Sequence, residues 1–298
     1  MSFHKTKVIN TDSACVHQVG FVPQSHDIIS VESDPSSINS WDLHSLTKKD
    51  VALQPDDIPF TFAMGSKTGE LVWAGLKGLI NLWDMETKKI IRYIGDHNSS
   101  IYRVSIDSNG KYVISWGIDT NIKWSAKFWD LQAGKLIRDW GQNSYACFSP
   151  DSRYIGIRRY DVIELEEVSS GRVIHTYDET PATPIVFSPD STHIAFSTTH
   201  RDINLLNISS GYRATIADDN VTDVDEIFFI PGHRLGTISL ADSSICIWDI
   251  QSKEKTEEIL LGIGKLKSIA FKQDATAFAC CGHQHFRGGI IEMWQEYP

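Results

Sequence analysis

The sequence predicts an all-β fold of seven repeated four-stranded units, and three observations carry that prediction. A tryptophan followed by an acid recurs at Trp41-Asp42, Trp83-Asp84, Trp129-Asp130 and Trp248-Asp249, with Trp294-Gln295 as a worn copy. Aligning the trailing glycines Gly134, Gly171 and Gly211 adds two degenerate copies, Glu166-Glu167 and Leu206-Asn207. The anchors then stand at 41, 83, 129, 166, 206, 248 and 294. Their period of 37 to 46 residues is the range of a β-propeller blade. Upstream of each anchor an apolar residue runs into turn chemistry, and short alternating segments surround both markers.

The elements follow in chain order. The opening "HKTKVIN" reads as a fourth strand with no unit before it. The turn markers are Phe21-Val22-Pro23, Phe62-Ala63-Met64-Gly65, Ile106 to Gly110, Phe148-Ser149-Pro150-Asp151, Phe187-Ser188-Pro189-Asp190, Phe229-Ile230-Pro231-Gly232 and Phe271 to Asp274. Pro, Asp, Asn and Gly supply the preset or permissive dihedrals of tight turns, so each marker joins the first two strands of a unit as a hairpin. The segments after the markers, such as "KYVISW" and "THIAFS", alternate apolar and polar residues and suit half-buried second strands. Third strands follow in "INLWD", "KFWDL" and "CIWDI", and fourth strands in "KKIIRYI", "GKLIRDW", "GRVIHTY" and "GYRATI". The last third strand, "IIEMWQ", has no fourth strand after it. An N-terminal strand over about residues 3–10 is therefore expected to complete the final sheet beside Trp294, making residues 1–298 one complete domain.

Seven units, four strands each, with a tryptophan-acid pair ending the third strand, resemble the WD-repeat family over essentially the whole chain. The resemblance implies a seven-bladed β-propeller of four-stranded antiparallel blades around a central channel, closed by the N-terminal strand. It implies no reaction. In that family a histidine, a serine or threonine, an aspartate and the tryptophan form a hydrogen-bonded structural tetrad. Its best copy here is His97, Ser115, Asp119 and Trp129, with about four extra residues between the last two. Elsewhere the pattern is eroded: blade six keeps Asp242 and Trp248 without a histidine, and blade two has Lys77 in place of the acid. The tetrad implies strand-tying, not catalysis, since a nucleophile needs an exposed site and an oxyanion partner.

Composition narrows the function. A net charge of -10 opposes non-specific attraction to nucleic acid or to anionic lipid, so neither is an expected partner. No apolar run approaches the length of a transmembrane helix, and the N-terminus lacks a secretory apolar segment, which predicts a cytoplasmic protein, with the nucleus as the other compartment. Five scattered cysteines read as reduced core thiols. In "CCGHQH" the adjacent Cys280 and Cys281 should point to opposite faces of a strand, away from a common metal with His283 and His285. No metal and no cofactor is expected.

Function should reside in the loops on the faces of the ring. One face gathers the loops between second and third strands with those entering the first. The partner-binding candidates there are Lys77, Trp116, Trp124, Arg158, Arg159, Tyr160, Arg201, His285, Phe286 and Arg287, accompanied by Lys123, His200 and the acids Asp56, Asp57, Asp96, Asp178, Glu179, Asp218 and Asp219. Trp, Tyr and Arg are the side chains most enriched in binding hot spots, so the expected role is a non-enzymatic scaffold or adaptor for a protein or peptide. Two other readings stand beside it. The paired Arg158-Arg159 and "HFRGG", which is similar to the arginine motif of phosphoinositide-binding propellers, suggest a membrane recruiter. A ligand-binding or hydrolytic site in the channel is the other.

Overall fold

Both turn types of the repeat are written in side-chain chemistry, and they set the blade. In the turn between third and fourth strands the acid of the tryptophan-acid pair is the cap. Asp42 Oδ1 accepts the amides of His44 and Ser45 at 2.8 and 2.9 Å, and Asp84 Oδ1 those of Glu86 and Thr87 at 2.8 and 3.0 Å. Asp249 repeats the arrangement with Gln251 and Ser252, and Asn207 keeps it with Ser210 in a blade that has lost its tryptophan. Four residues after Asp42, Asp84, Asp130, Glu167, Asn207 and Asp249 the chain takes a positive φ, at Leu46, Lys88, Gly134, Gly171, Gly211 and Lys253. In the turns between first and second strands, Asp107 Oδ1 accepts the amides of Lys111 and Tyr112, while Ser149 and Ser188 accept those of Tyr154 and His193.

The computed structural model describes residues 2–297 apart from 24, 35, 54–56, 66–69, 120–122, 179, 199–201, 218–223, 231, 273–275 and 285–287. After β1 (Ser2–Asn10), the chain forms blade I from β2 (Cys15–Phe21), β3 (Asp27–Ser33), β4 (Ser37–Asp42) and β5 (Thr47–Leu53). Blade II is β6 (Pro59–Met64), β7 (Glu70–Gly75), β8 (Leu79–Asp84) and β9 (Lys89–Asp96). Blade III is β10 (Ile101–Ile106), β11 (Tyr112–Ile118), β12 (Trp124–Asp130) and β13 (Lys135–Gln142). Blade IV is β14 (Tyr145–Phe148), β15 (Tyr154–Arg158), β16 (Val162–Glu167) and β17 (Val173–Asp178). Blade V is β18 (Val186–Phe187), β19 (His193–Ser197), β20 (Ile203–Asn207) and β21 (Arg213–Ala217). Blade VI is β22 (Glu226–Ile230), β23 (Arg234–Ser239), β24 (Ser244–Asp249) and β25 (Lys255–Leu260). Blade VII is β26 (Lys265–Phe271), β27 (Ala277–Gln284), β28 (Gly288–Tyr297) and β1.

All seven sheets are antiparallel and form a ring, the predicted all-β propeller. The N-terminal strand closes it: β1 pairs with β28, Lys5 standing opposite Trp294 and Ile9 opposite Ile291. Among the described residues no helix is long and apolar enough to cross a membrane.

The core lies between blades. Side chains on successive strand positions face opposite neighbours, so each blade contributes to two apolar clusters. Trp129 packs with Val72, Ile80 and Ile94 of blade II, while Phe128 packs with Ile155 and Ile157 of blade IV. Trp41, Trp83, Trp248 and Trp294 likewise face the preceding blade. Leu206 fills that place in blade V. Glu166 fills it in blade IV, where a buried carboxylate pairs with Arg138 of blade III in place of aromatic packing. Cys280 and Cys281 separate in the same way, one into the interface with blade VI and the other into that with blade I.

Candidate functional site

The innermost strands of blades VII, I, II and III share an irregularity that those of the other three blades lack. Pairing with the second strand slips between Leu266 and Ser268, between Val16 and Gln18, between Pro59 and Thr61, and between Ile101 and Arg103. The residue left over in each is Lys267, His17, Phe60 and Tyr102. A bulge frees one residue from the ladder and re-aims its side chain. All four side chains line one cavity of about 320 Å³ in the channel, with Arg103, Trp116, Tyr145 and Glu226 among its other walls.

Aromatic rings continue from the bulges in an unbroken arc. His17 meets Phe60 edge-on at 5.3 Å, and Phe60 stacks on Tyr102 at 5.3 Å. Tyr102 reaches Trp124 at 5.1 Å, Trp124 stacks on Trp116 at 4.1 Å, and Trp116 abuts Tyr145 at 5.9 Å. The tryptophan stack follows from register: Trp116 stands opposite Ala126 on β12, which makes Trp124 its diagonal neighbour on the same face. Trp116 is partly buried and donates its indole N–H to the Ser144 carbonyl at 3.1 Å. Trp124 and Tyr102 remain 37% and 40% exposed. Gly117, beside Trp116, leaves room for the strand entering the channel, since a Cβ there would lie 2.5 Å from the Ser100 carbonyl oxygen.

Deeper in the channel, Arg103 of blade III reaches across to pair with Glu226 of blade VI. Burial pulls the guanidinium pKa down, but Glu226 and Tyr145 outweigh it and hold the group firmly charged. Arg103 lies deep in the ring yet keeps 39% of its side-chain exposure, because the surface it faces is the open channel. Burial and then Lys267 press the His17 pKa down, favouring the neutral ring, and His17 Nε2 is buried with no hydrogen-bond partner.

Behind this mouth the blades are tied by the tryptophans. In blade III, Ser115 Oγ accepts the Trp129 indole N–H at 2.7 Å and lies 2.7 Å from His97 Nε2. The expected fourth bond is absent: Asp119 accepts the Lys123 amide at 2.9 Å, and His97 Nδ1 is buried with no hydrogen-bond partner. The charge of Asp119 still acts on the imidazole at longer range, raising its pKa against the larger effect of burial. Other blades keep shorter forms. Trp248 donates to Thr237 at 3.1 Å, and Trp41 donates to Ser30, whose hydroxyl bonds Glu32.

No family model matches the chain. It is 25% identical to Autophagy-related protein 16 of Arabidopsis thaliana over 179 residues, 57% of this chain and 34% of that protein. It is 20% identical to Pre-mRNA-processing factor 19 homolog 2 of the same plant over 229 residues, 72% of this chain and 42% of that one. It is 25% identical to human Protein NEDD1 over 221 residues, 70% of this chain and 33% of that protein. The chain thus spans about a third to two fifths of these curated relatives. With these similarities stand seven closed four-stranded blades and tryptophans tied to second-strand hydroxyls. The chain is a seven-bladed β-propeller, consistent with the WD-repeat family.

In this propeller the predicted face residues divide. Trp116 and Trp124 join the arc, and Tyr160, 70% exposed, extends it through Asn143, whose amide donates to the Trp124 carbonyl and whose side chain donates to the Tyr160 hydroxyl. Arg158 Nη1 donates to the Pro181 and Ala182 carbonyls at 3.3 and 3.4 Å while its Nε is buried with no hydrogen-bond partner, and Arg159 pairs with Glu164. The Lys77 amide donates to Asp57, whose buried carboxylate caps the loop rather than facing a partner. His200, Arg201, His285, Phe286 and Arg287, with Asp56, Glu179, Asp218 and Asp219, lie outside the described residues. Among the described residues no three His, Cys, Asp or Glu side chains are grouped to hold a metal.

Sequence reasoning missed Lys267, His17, Phe60 and Tyr102. Their signal is a triplet near the start of each first strand, apolar, then the bulged residue, then polar: Leu266-Lys267-Ser268, Val16-His17-Gln18, Pro59-Phe60-Thr61 and Ile101-Tyr102-Arg103.

Proposed function

We propose that this propeller is a non-enzymatic interaction module that grips a segment of a partner protein at the channel mouth, over blades VII to III. The observation that carries this reading is the arc of six aromatic rings across blades I to IV, open to solvent at Tyr102 and Trp124. Rigid aromatic surface offers large contact area at small entropic cost, the usual composition of a hot spot. A protein-interaction role agrees with the WD-repeat fold. Among the described residues lining this cavity the carboxylate is Glu226, and it is paired with Arg103. A cytoplasmic or nuclear setting suits such a module.

The test is quantitative capture of partners from cells by the wild type, by a Tyr102→Ala/Trp124→Ala variant and by a Lys135→Glu control at the opposite end of blade III. Partners retained by the control and lost from the aromatic variant are expected. Identical partner sets for all three would remove the channel mouth as the site.

A further inference from the structure

The four bulged residues are ordered around the mouth as two chemical halves. Blades VII and I present Lys267 and His17, while blades II and III present Phe60 and Tyr102, with Trp124 beyond. Arg103 is spoken for by Glu226 and Tyr145. Lys267 is exposed, and none of the ion pairs of the described residues involves it or its neighbour Lys265. His17 Nε2 likewise lacks a partner although it is buried beside the cavity. An exposed cation and an imidazole lining one cavity complement an anionic side chain, and the aromatic shelf next to them complements a flat apolar one.

Building on the peptide-recognition reading above, we infer that the preferred ligand segment carries an anionic side chain, carboxylate or phosphate, that sits between Lys267 and His17 while a neighbouring aromatic residue lies on Phe60, Tyr102 and Trp124. The site is thus selective for acidic-aromatic sequences. The bulges make it so, because a regular ladder would return all four residues to strand pairing. Binding is also coupled to protons. The charged and titratable groups lining the cavity with His17 are Lys267, Arg103, Glu226, Tyr102 and Tyr145. An anion placed beside the imidazole favours its protonated form, so affinity rises as pH falls below neutrality.

The probes are acetylated, amidated pentapeptides Gly-Trp-Gly-Glu-Gly and its counterparts with Gln or phosphoserine in place of Glu, titrated into the labelled protein by NMR. The Glu and phosphoserine peptides should bind about tenfold or more tightly than the Gln peptide, the worth of a charge-assisted hydrogen bond. The stronger of the two names the preferred anion. Lys267→Ala, a change at an exposed side chain, should melt with the wild type and bring all three peptides to the Gln level. The Glu peptide should tighten between pH 7.5 and 6.0 in the wild type but not in His17→Gln. Equal binding of Glu and Gln peptides, a charge preference that survives Lys267→Ala, or no binding of any peptide at millimolar concentration overturns the inference. Trp124→Ala separates it from the broader reading: it should weaken charged and neutral peptides alike, and its failure to do so refutes the aromatic site itself.

Discussion

Ser115→Ala probes the tie that holds blade III, and its cost can be worked from the structure. The hydroxyl is wholly buried and serves two groups, the Trp129 indole N–H and His97 Nε2, both at 2.7 Å. Removing it strands the indole and leaves the imidazole with no partner at all, since His97 Nδ1 already has none. Each buried polar group left unsatisfied costs about 1–3 kcal/mol. Partial relaxation places the expected loss at about 2–4 kcal/mol, against about 1–2 kcal/mol for Thr237→Val, which strands only the Trp248 indole. Urea unfolding at pH 7 with matched slopes gives both values. A loss under about 1 kcal/mol, or one no larger than that of Thr237→Val, would refute the two-partner account. The same His97 has a pH signature. Burial first, then Lys127, press its pKa down to about 3. The folded state therefore keeps it neutral, and the associated stability is complete above the unfolded value near ~6.5 and is lost as pH falls toward the folded one. His97→Gln should flatten that part of the stability profile.

Two further outcomes concern the turns. The backbone amides of Ser45 and His44, of Thr87, and of Ser252 hold Asp42, Asp84 and Asp249 below the usual carboxylate range. Stability from these caps is present above the unfolded pKa near ~4 and disappears as pH falls through the depressed folded values. Melting temperatures from pH 4.5 to 2.5 should fall less for an Asp42→Asn/Asp84→Asn/Asp249→Asn variant, which keeps the acceptor but not the charge; superimposable acid limbs would contradict this. At the positive-φ position, Gly134→Ala should lose about 1 kcal/mol for conformational reasons alone. A Cβ there meets nothing nearer than 3.8 Å, so steric repulsion is not in play. Lys253→Gly should gain about 0.5 kcal/mol, the strain relieved being partly offset by the freer unfolded chain. Urea midpoints decide both, and a stabilising Gly134→Ala would dispose of the argument.

The blades were legible because their signals are local. A turn cap such as Asp84 acts on amides two and three residues away, and strand alternation appears within six residues. Even the worn repeats were placed correctly by the turn glycines Gly171 and Gly211, whose positive φ is a requirement of the turn itself. Ring closure was legible for the same reason: one strand was missing at the end and one was spare at the start. The site was less so. Trp116 and Trp124 were picked for their chemistry, but whether they were core or surface depended on the register of β11 and β12. Arg158 and Arg159 were picked for their charge, but only the fold shows that one lies against carbonyls on the strand-entry loop of blade V and the other beside Glu164.

By itself, then, the sequence determined the number of blades, their turns and the way the ring closes, since each depends on interactions within one repeat or on the count of repeats. Only the tertiary structure decided the mouth of the channel. Lys267, His17, Phe60 and Tyr102 come from four blades and lie as far as 250 residues apart in the chain, between positions 17 and 267. Each is aimed inward by a bulge that interrupts the alternation from which strands are read, and their grouping exists only once blades VII and I are joined through the N-terminal strand.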